Sequence, residues 1–434
     1  MGWLAGVLIL FFGLMASIAL HELGHLAFAK RFGVRVTQYM VGFGPTLWSR
    51  HRGETEYGVK WIPLGGYIRM IGMLPPRRTD APGQVRRLST GPWQGLIESA
   101  RGAALEEVRP GDENRVFYNR AWWQKLLIMF AGPAMNLVLA VVFFAIALMA
   151  IGTPTSAPVP TIATVSKCVV TGDTDVKTCP ADAPPTPAAK AGLLPGDTIV
   201  AFNGQPVTEY AALQRLIRDS ADKTATLTLR RSGQEFTVQA PIIKSRMPDL
   251  KDPGKTVETG FLGISPVAPV VNDRQSPGEV AGFVGDVTVR SATALLRLPE
   301  KMVGVWNAAF MGAERDLEGP VGVVGVGRIG GDIATSEQPA KQKIYFFLMM
   351  VASVNLAIGL FNLVPLLPLD GGHMAGAILE AIKKFLARLR GRPDPGPVDV
   401  AKALPVTYVM AMFLIVMGGL LIYADIINPI RLSG

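Results

Sequence analysis

Four long apolar stretches constrain this chain more than any other feature of its sequence. A hydrocarbon core about 30 Å thick is crossed by about 20 helical residues, and each stretch reaches that length. With their flanking residues the four segments are 1–30, 121–152, 341–373 and 404–428. We therefore expect a polytopic α-helical membrane protein with four transmembrane helices.

Charge is distributed unevenly between the connecting segments. The 434 residues are 49% hydrophobic and 18% charged, whereas soluble proteins carry about 25% charged residues. Residues 30–125 hold 16 Lys/Arg against 8 Asp/Glu, residues 368–403 hold 6 against 4, and residues 153–341 hold 19 against 20. The net charge of +9 therefore comes from the first and third connecting segments, not from one basic face, and we expect no nucleic-acid partner.

The same distribution predicts an orientation. Cytoplasmic loops carry an excess of Lys and Arg. We therefore expect segments 31–120 and 374–403 in the cytoplasm, the second of them as a loop. Both termini and the long near-neutral segment are then extracytoplasmic.

The long outer segment divides into two parts by its local patterns. Residues 158–266 contain strand-like runs around one helical run, which predicts a compact α/β domain of about 100 residues. Those runs are 198–202, 210–218, 225–230 and 236–239. Residues 267–340 form an amphipathic and linker region, with a helical stretch at 280–312 and a Gly/Val-rich stretch at 317–330. Cys168 and Cys179 lie in the outer segment, where either a disulfide or two free thiols would be compatible with the sequence.

The first cytoplasmic segment, 31–120, begins with two strand-like runs. Residues 41–48 and 57–70 are rich in β-branched and aromatic residues and are punctuated by Gly and Pro. We expect a β-hairpin over about 41–72, or a plain cytoplasmic turn. Residues 75–115 are charged and contain Pro and Gly, which favours a loop or short helices.

The strongest chemical signal is His21-Glu22-Leu23-Gly24-His25, inside the first span. Positions i and i+4 share one face of a helix, so both imidazoles can bind one metal ion. Glu22 is suited to accept a proton from a water that the metal activates. Helical rise places His21 about 27 Å from Trp3, within the membrane but nearer the cytoplasmic face. The competing interpretation is a helix-end His and Glu that reach out to water.

A zinc site needs a third protein ligand, and Asp370 is the best candidate. It follows the third apolar stretch, after Pro365 and Pro368, which interrupt the helix at the depth expected for His21. Asp370 could instead be an ordinary helix cap. His373 is a rival ligand.

These residues carry a resemblance to the site-2 protease family of intramembrane metalloproteases, of the bacterial type with a PDZ domain. The chain has its HExxH motif at 21–25, its LDG motif at 369–371 and its Gly-Pro-x-x-Asn motif at 132–136. Residues 62–72 are similar to its membrane-associated β-hairpin, and residues 190–197 are similar to a PDZ peptide-binding region. The match covers nearly the whole chain in the expected order.

The resemblance implies four transmembrane helices, a membrane-associated hairpin and one extracytoplasmic PDZ-like domain. It also implies one Zn²⁺ per chain, held by His21, His25 and Asp370, with Glu22 as the catalytic base. The residues it implies for binding the unwound substrate are Asn136, Asn362, Gly65, Gly66, Tyr67 and Ile68.

For partners, the resemblance implies the lipid bilayer and single-pass membrane proteins such as anti-sigma factors or remnant signal peptides. An upstream site-1-type protease would cut the same substrate first. The location implied is a bacterial cytoplasmic membrane, with the active site near the cytoplasmic face. The PDZ-like domain would filter substrates by size, and the region around 192–196 would capture a new C-terminal carboxylate.

The chain departs from the usual pattern of this family in two respects. Many relatives have two PDZ domains, and this chain has room for one. Relatives often have a second Asn just upstream of the one matched by Asn362, and here the nearest is Asn355.

A membrane-tethered PDZ scaffold with an inactive metal site is the main alternative to a protease. A transporter is a third possibility, although no paired halves are visible.

Overall fold

The computed structural model describes residues 2–76, 92–169, 183–250, 255–316 and 319–429. The chain divides into two compact units. The helical unit comprises Met1–Gly152 and Arg274–Gly434, and the sheet unit is Thr153–Asp273.

The elements are as follows in chain order. The helices are α1 (Gly2–Arg31), α2 (Pro92–Glu106), α3 (Trp122–Ala145), α4 (Pro187–Lys190), α5 (Tyr210–Arg218), α6 (Pro277–Leu296), α7 (Leu298–Phe310), α8 (Val323–Thr335), α9 (Ala340–Asn362), α10 (Asp370–Leu389) and α11 (Leu404–Ile427). The strands are β1 (Val36–Arg52), β2 (Thr55–Met70), β3 (Thr153–Ser156), β4 (Val159–Val165), β5 (Thr198–Phe202), β6 (Gln205–Pro206), β7 (Thr224–Arg231), β8 (Gln234–Pro241), β9 (Ile243–Pro248), β10 (Thr256–Phe261), β11 (Ile264–Val267) and β12 (Val270–Asp273).

Within the described residues, four helical segments are long and apolar enough to cross a membrane. They are Gly2–Arg31, Trp122–Ile151, Ala340–Asn362 and Val400–Ile427. The second combines α3 with a π-helical extension, Ile146–Ile151, and the fourth begins with a 3-10 turn, Val400–Ala403. The prediction of four membrane-spanning helices is confirmed.

The third predicted segment, 341–373, is not one continuous helix. Helix α9 ends at Asn362, residues 363–369 form a turn, and α10 begins at Asp370. Pro365 and Pro368 explain the break, because proline lacks the N–H that a continuing helix would need. The segment 374–403 was expected to be a loop, and this expectation is wrong for its first half, since α10 continues to Leu389.

The linker before the third span also contains a helix that the Gly/Val-rich pattern did not predict. Helix α8, Val323–Thr335, packs on α1 through small residues. A Cβ added at Gly6 would collide with the main-chain carbonyl of Gly330. Such close backbone approach is typical of helix packing in membranes. The predicted helical stretch at 280–312 corresponds to α6 and α7.

Strands β1 and β2 form a bent antiparallel pair in which one segment is paired twice. Residues 36–41 pair with 66–70 on one side and with 56–59 on the other. Residues 46–52 pair with 55–60, so the two strands form one long hairpin that folds over, with its segments side by side in the order 46–52, 55–60, 36–41, 66–70. Gly42 and Gly65 have φ of 95° and 100°, and only glycine adopts such backbone bends readily. The segment 66–70 therefore lies at one edge of this sheet.

The sheet unit has its own apolar core. Its main sheet has the strand order β11-β4-β5-β7-β8, with β6 paired to β5 and all neighbours antiparallel. Helix α5 contributes Leu213 and Ile217 to the core beneath it. The predicted runs at 198–202, 210–218, 225–230 and 236–239 match β5, α5, β7 and β8. The Arg231 guanidinium donates to Asp197 at 2.6 and 2.8 Å and holds the pKa of that carboxyl below its usual value.

The two cysteines belong to the sheet unit, and the structure describes one of them. Cys168 is disulfide-bonded. Cys179, to which the expectation of a disulfide also refers, lies outside the described residues.

Candidate metal centre

Helix α1 carries two histidines on one buried face. His21 and His25 are one helical turn apart, and they are 8% and 4% exposed. Helix α1 is apolar over nearly all its length. The hydrogen-bond partners and ligands of these imidazoles must therefore come from other elements that meet at the site.

The hydrogen bonds at the far side of each ring determine which nitrogen faces the centre. His21 Nδ1 lies 3.1 Å from Asn136 Oδ1, and His25 Nδ1 lies 2.7 Å from the main-chain carbonyl of Ile128. A carbonyl oxygen can only accept, so each Nδ1 carries a proton and donates it. Each Nε2 therefore presents a lone pair to the interior, as metal-binding histidines do.

Three acceptor atoms converge on one point. The two Nε2 atoms are 3.2 Å apart, and each is 3.2 Å from Asp370 Oδ2. Within the described residues, His21, His25 and Asp370 form a cluster with the ligand geometry for a metal ion. Neutral imidazole lone pairs cannot hydrogen-bond to each other, so a cation is what this triangle can hold.

The dimensions of the triangle suit zinc. A tetrahedral zinc ion with bonds of about 2.0–2.1 Å needs ligand atoms about 3.3 Å apart. Two imidazoles and one carboxylate are a common zinc ligand set, and three protein ligands leave the fourth position open. The donor set and its spacing therefore fit a catalytic rather than a purely structural zinc site.

Asp370 reaches the centre because of the turn before α10. It occupies the first turn of α10, whose N-cap residue is Leu369. A Cβ at Gly371 would collide with the backbone of residues 363–364, and one at Gly372 with that of 366–367. The two glycines thus let the helix start directly against the turn. The carboxylate of Asp370 lies 3.2 Å from both imidazole Nε2 atoms, and the N-cap position of α10 belongs to Leu369.

His373, the rival ligand, is outside this cluster. It lines a separate cavity with Lys125, Glu380 and Val398. Lys125 Nζ and Glu380 Oε2 form a buried ion pair at 2.7 Å, which joins α3 to α10 below the centre.

Glu22 lies between the metal cluster and the edge of the β-sheet. It is 9% exposed, and its carboxylate lies beside the main-chain N–H of Ile68. A Cβ at Gly66 would come within 2.9 Å of Glu22 Cγ. Tyr39 of β1 donates its hydroxyl to the Ala19 carbonyl at 2.6 Å. The sheet edge 66–70 is therefore packed against the residue expected to act as the base.

The six residues expected to bind substrate are in different environments. Gly66 and Ile68 adjoin Glu22, as described above. A Cβ at Gly65 would collide with the Phe43 ring, and Tyr67 donates to Gln38 at 3.4 Å. Asn362 ends α9, and no side-chain hydrogen bond of Asn362 is found within the described ranges.

Asn136 has a contact that the sequence did not indicate. Its Oδ1 accepts from His21, whereas its Nδ2 is buried and has no partner among the described residues. Asn136 thus orients a metal ligand and also keeps one donor available.

Three further groups have roles at the centre that the sequence did not predict. Gly132 leaves room for a ligand, because a Cβ there would collide with His25 Nε2. The Ile128 carbonyl and the Ile68 N–H act through the backbone, so their side chains give no signal. Gly132 belongs to the Gly-Pro-x-x-Asn motif at 132–136, but its close approach to His25 was not predicted.

Comparison with known proteins identifies what the chain is similar to. The model for peptidase family M50 matches residues 9–392. The zinc metalloprotease Rip1 of Mycobacterium bovis is 35% identical over 444 residues, which covers 100% of both chains. Rip1 of Mycolicibacterium smegmatis is 33% identical and covers 98% of each chain. Metalloprotease MmpA of Caulobacter vibrioides is 28% identical over 88% of each.

Asn136→Ala should weaken zinc binding by about 10–100-fold, because residues that orient a metal-bound histidine contribute that much to affinity. The measurement is a zinc dissociation constant, determined by competition with a chelator. Asn355→Ala is the matched control. Asn355 is also buried and donates to Ser17 of α1 at 2.9 Å, but it is hydrogen-bonded to neither imidazole. Equal losses in both variants would contradict a specific role for Asn136.

Proposed function

The chain belongs to peptidase family M50, the site-2 protease family, and is a zinc metalloprotease with membrane-spanning helices, and from this premise we propose that it cleaves transmembrane segments of other proteins. The observation that carries the proposal is the triangle of His21, His25 and Asp370, with Glu22 beside it. His21 and His25 lie on α1, a helix of membrane-spanning composition, and Asp370 follows the turn after α9, another such helix, so this cluster would have access to peptide bonds within the bilayer.

The chemistry follows from the roles of these residues. His21, His25 and Asp370 would hold Zn²⁺, which supplies a Lewis acid for the scissile carbonyl and for the attacking water. Glu22 accepts a proton from that water and passes it to the leaving nitrogen. The Ile68 N–H orients the Glu22 carboxylate during both transfers.

Glu22→Gln should retain zinc and lose at least about a hundredfold in cleavage rate, because a positioned general base contributes about 10²–10⁴. Asp370→Ala should lose both zinc and cleavage. The measurement is cleavage of a reporter transmembrane peptide by the purified full-length protein, with metal content determined for each variant.

The same experiment tests the alternative function. A membrane-tethered scaffold with an inactive metal site would leave the reporter uncut in the wild type. Full cleavage by Glu22→Gln would instead refute the assigned base.

A peptide bond within a helix is protected, so the substrate must unwind before it is cut. The freed backbone groups then need partners, since the hydrocarbon core offers none. We propose that the sheet edge 66–70 supplies them by pairing with the unwound strand. Its other side is already paired with 36–41, and Ile68 lies beside Glu22. Asn136, through its unpaired Nδ2, and Asn362 would hold further backbone groups of the substrate.

Ile68→Pro removes the N–H that reaches Glu22 and interrupts the proposed pairing edge. We expect reporter cleavage to fall by tenfold or more while zinc content is unchanged. Leu47→Pro is the control, because Leu47 lies at a break in the pairing on the opposite edge of the same sheet. Wild-type turnover by Ile68→Pro would rule out a role for this edge.

The proposed substrates are single-pass membrane proteins, such as anti-sigma factors or remnant signal peptides, that a site-1-type protease has already cut outside. We place the protein in a bacterial cytoplasmic membrane, with both termini extracytoplasmic and the metal near the cytoplasmic face. The charge distribution of the connecting segments supports this orientation.

We propose that the sheet unit is a PDZ-like domain that excludes untrimmed substrates. The expected capture of a substrate's new C-terminal carboxylate by residues around 192–196 lacks support. The N–H groups of Gly192, Leu193, Leu194 and Gly196 all donate to partners within the unit. Proline occupies position 195, so this loop offers no free donor. The size-filter role does not need one.

The ends of the sheet unit allow a clean deletion. The Ala157 N–H donates to the Pro269 carbonyl at 3.1 Å, so residues 158–268 can be excised and the two ends joined by a short Gly-Ser linker. We expect this variant to cut a reporter that still carries its bulky outer domain, which wild type leaves intact. Both proteins should cut the trimmed reporter equally, as the control. Continued dependence on trimming would contradict the filter.

A further inference from the structure

Helix α10 carries an exposed apolar stripe on its C-terminal half. The side chains of this stripe recur at i, i+1, i+4, i+7, i+8 and i+11, which places them within about 120° of the helix circumference. They are Ile378, Leu379, Ile382, Phe385, Leu386 and Leu389, and each is at least 41% exposed. Six large apolar side chains on one exposed face require a covering.

Four basic residues adjoin this stripe. They are Lys383, Arg388, Arg390 and Arg392, all exposed. Within the described part of the chain none of them forms an ion pair, whereas the neighbouring Lys384 is paired with Glu380 and Asp394. By helical angle Lys383 and Arg388 lie on opposite flanks of the stripe. An apolar stripe bordered by unpaired cations is the pattern of a helix that lies in a membrane interface.

The opposite face of α10 is fixed to the rest of the helical unit. Lys125 and Glu380 are 2.7 Å apart, and their side chains are 7% and 3% exposed. Glu380 and Ala377 are buried, so α10 cannot rotate to bury the stripe without separating this ion pair. The stripe is therefore held facing outward.

The same ion pair indicates the depth of the stripe. Lys125 is in the first turn of α3, next to Trp122 and Trp123, and tryptophan is typical of the level of lipid headgroups. Nine residues of α10 follow Glu380, about 13 Å along the helix. The ion pair therefore places Glu380, and the start of the basic residues after it, near the level expected for lipid headgroups.

We propose that this face of α10 is a binding surface for anionic phospholipid headgroups of the adjacent leaflet. The apolar stripe enters the boundary of the acyl chains, and the four basic residues contact the phosphates. The unpaired positive charge distinguishes lipid from a soluble protein or a second copy of this chain, since an apolar interface alone would not need it. Because α10 begins with Asp370, the surface also links the leaflet to the element that carries a proposed metal ligand.

The test is a titration of the purified full-length protein with phosphatidylglycerol, in which the bound lipid is counted by native mass spectrometry. The test variant replaces all four basic residues by glutamine (K383Q, R388Q, R390Q and R392Q). Each basic residue near an anionic surface contributes about fivefold in affinity. The variant should therefore bind this lipid roughly 600-fold more weakly, while its affinity for neutral phosphatidylcholine should be unchanged.

Two controls separate charge at this place from charge in general. A swap of Lys and Arg at the same four positions keeps the charge and should keep wild-type binding. Four exposed residues of the sheet unit, changed to glutamine, remove the same charge elsewhere and should also leave binding unchanged. They are Arg215, Lys223, Lys244 and Arg246.

Equal phosphatidylglycerol affinity of wild type and the glutamine variant would overturn the proposal. So would an oligomer that dissociates on Phe385→Ser and Leu389→Ser without any change in lipid affinity, because the stripe would then be a contact between copies. The Glu22→Gln variant should bind the lipid as wild type does. A failure of the proposed proteolysis is thereby distinguishable from a failure of this surface.

Discussion

Two imidazole nitrogens and one carboxylate oxygen face one another at 3.2 Å in the helical unit, and the rest of the site depends on that contact. All three atoms are electron-pair donors, so without a cation between them they repel. A buried polar group without a partner is destabilising by several kcal/mol. The surroundings hold the three atoms close although their mutual interaction alone would separate them. The helical unit is therefore organised around a charge that the protein must take from outside.

The polar groups of α1 are positioned by two other elements. Helix α3 orients both histidines, through Asn136 and the Ile128 carbonyl, and the sheet edge orients Glu22 through Ile68. Small residues make these approaches possible, since a Cβ at Gly132 or Gly66 would enter the space of His25 or Glu22. Supports from separate elements hold a ligand more rigidly than neighbours on its own helix, and such support is what a reactive metal site requires.

The parts that could be predicted from sequence depend on local patterns. The number of spans follows from apolar length, and the pairing of His21 with His25 follows from helical spacing. Asp370 could be named as a ligand candidate because two prolines interrupt the apolar stretch just before it. The partner of His21 lies 115 residues away, and no local signal connects these two positions.

Other features were beyond prediction because the residues involved have a second, simpler interpretation. The charges between Lys383 and Arg392 are typical of a polar loop, and they concealed a helix whose inner face is held by Lys125. The edge position of residues 66–70 depends on residues 36–41 being paired on both sides. That pairing is determined by bends at glycines, and strand propensity alone does not show where a strand turns back.

The separation of the ligands along the chain has a consequence for synthesis. His25 and Asp370 are 345 residues apart, and ribosomes add about 5–20 residues per second. Roughly 20–70 s therefore pass between the appearance of the first two ligands and that of the third. A nascent polypeptide at this stage has its base and two imidazoles but no complete centre. The metal centre of a newly made molecule thus stays incomplete until 370 of the 434 residues have been added.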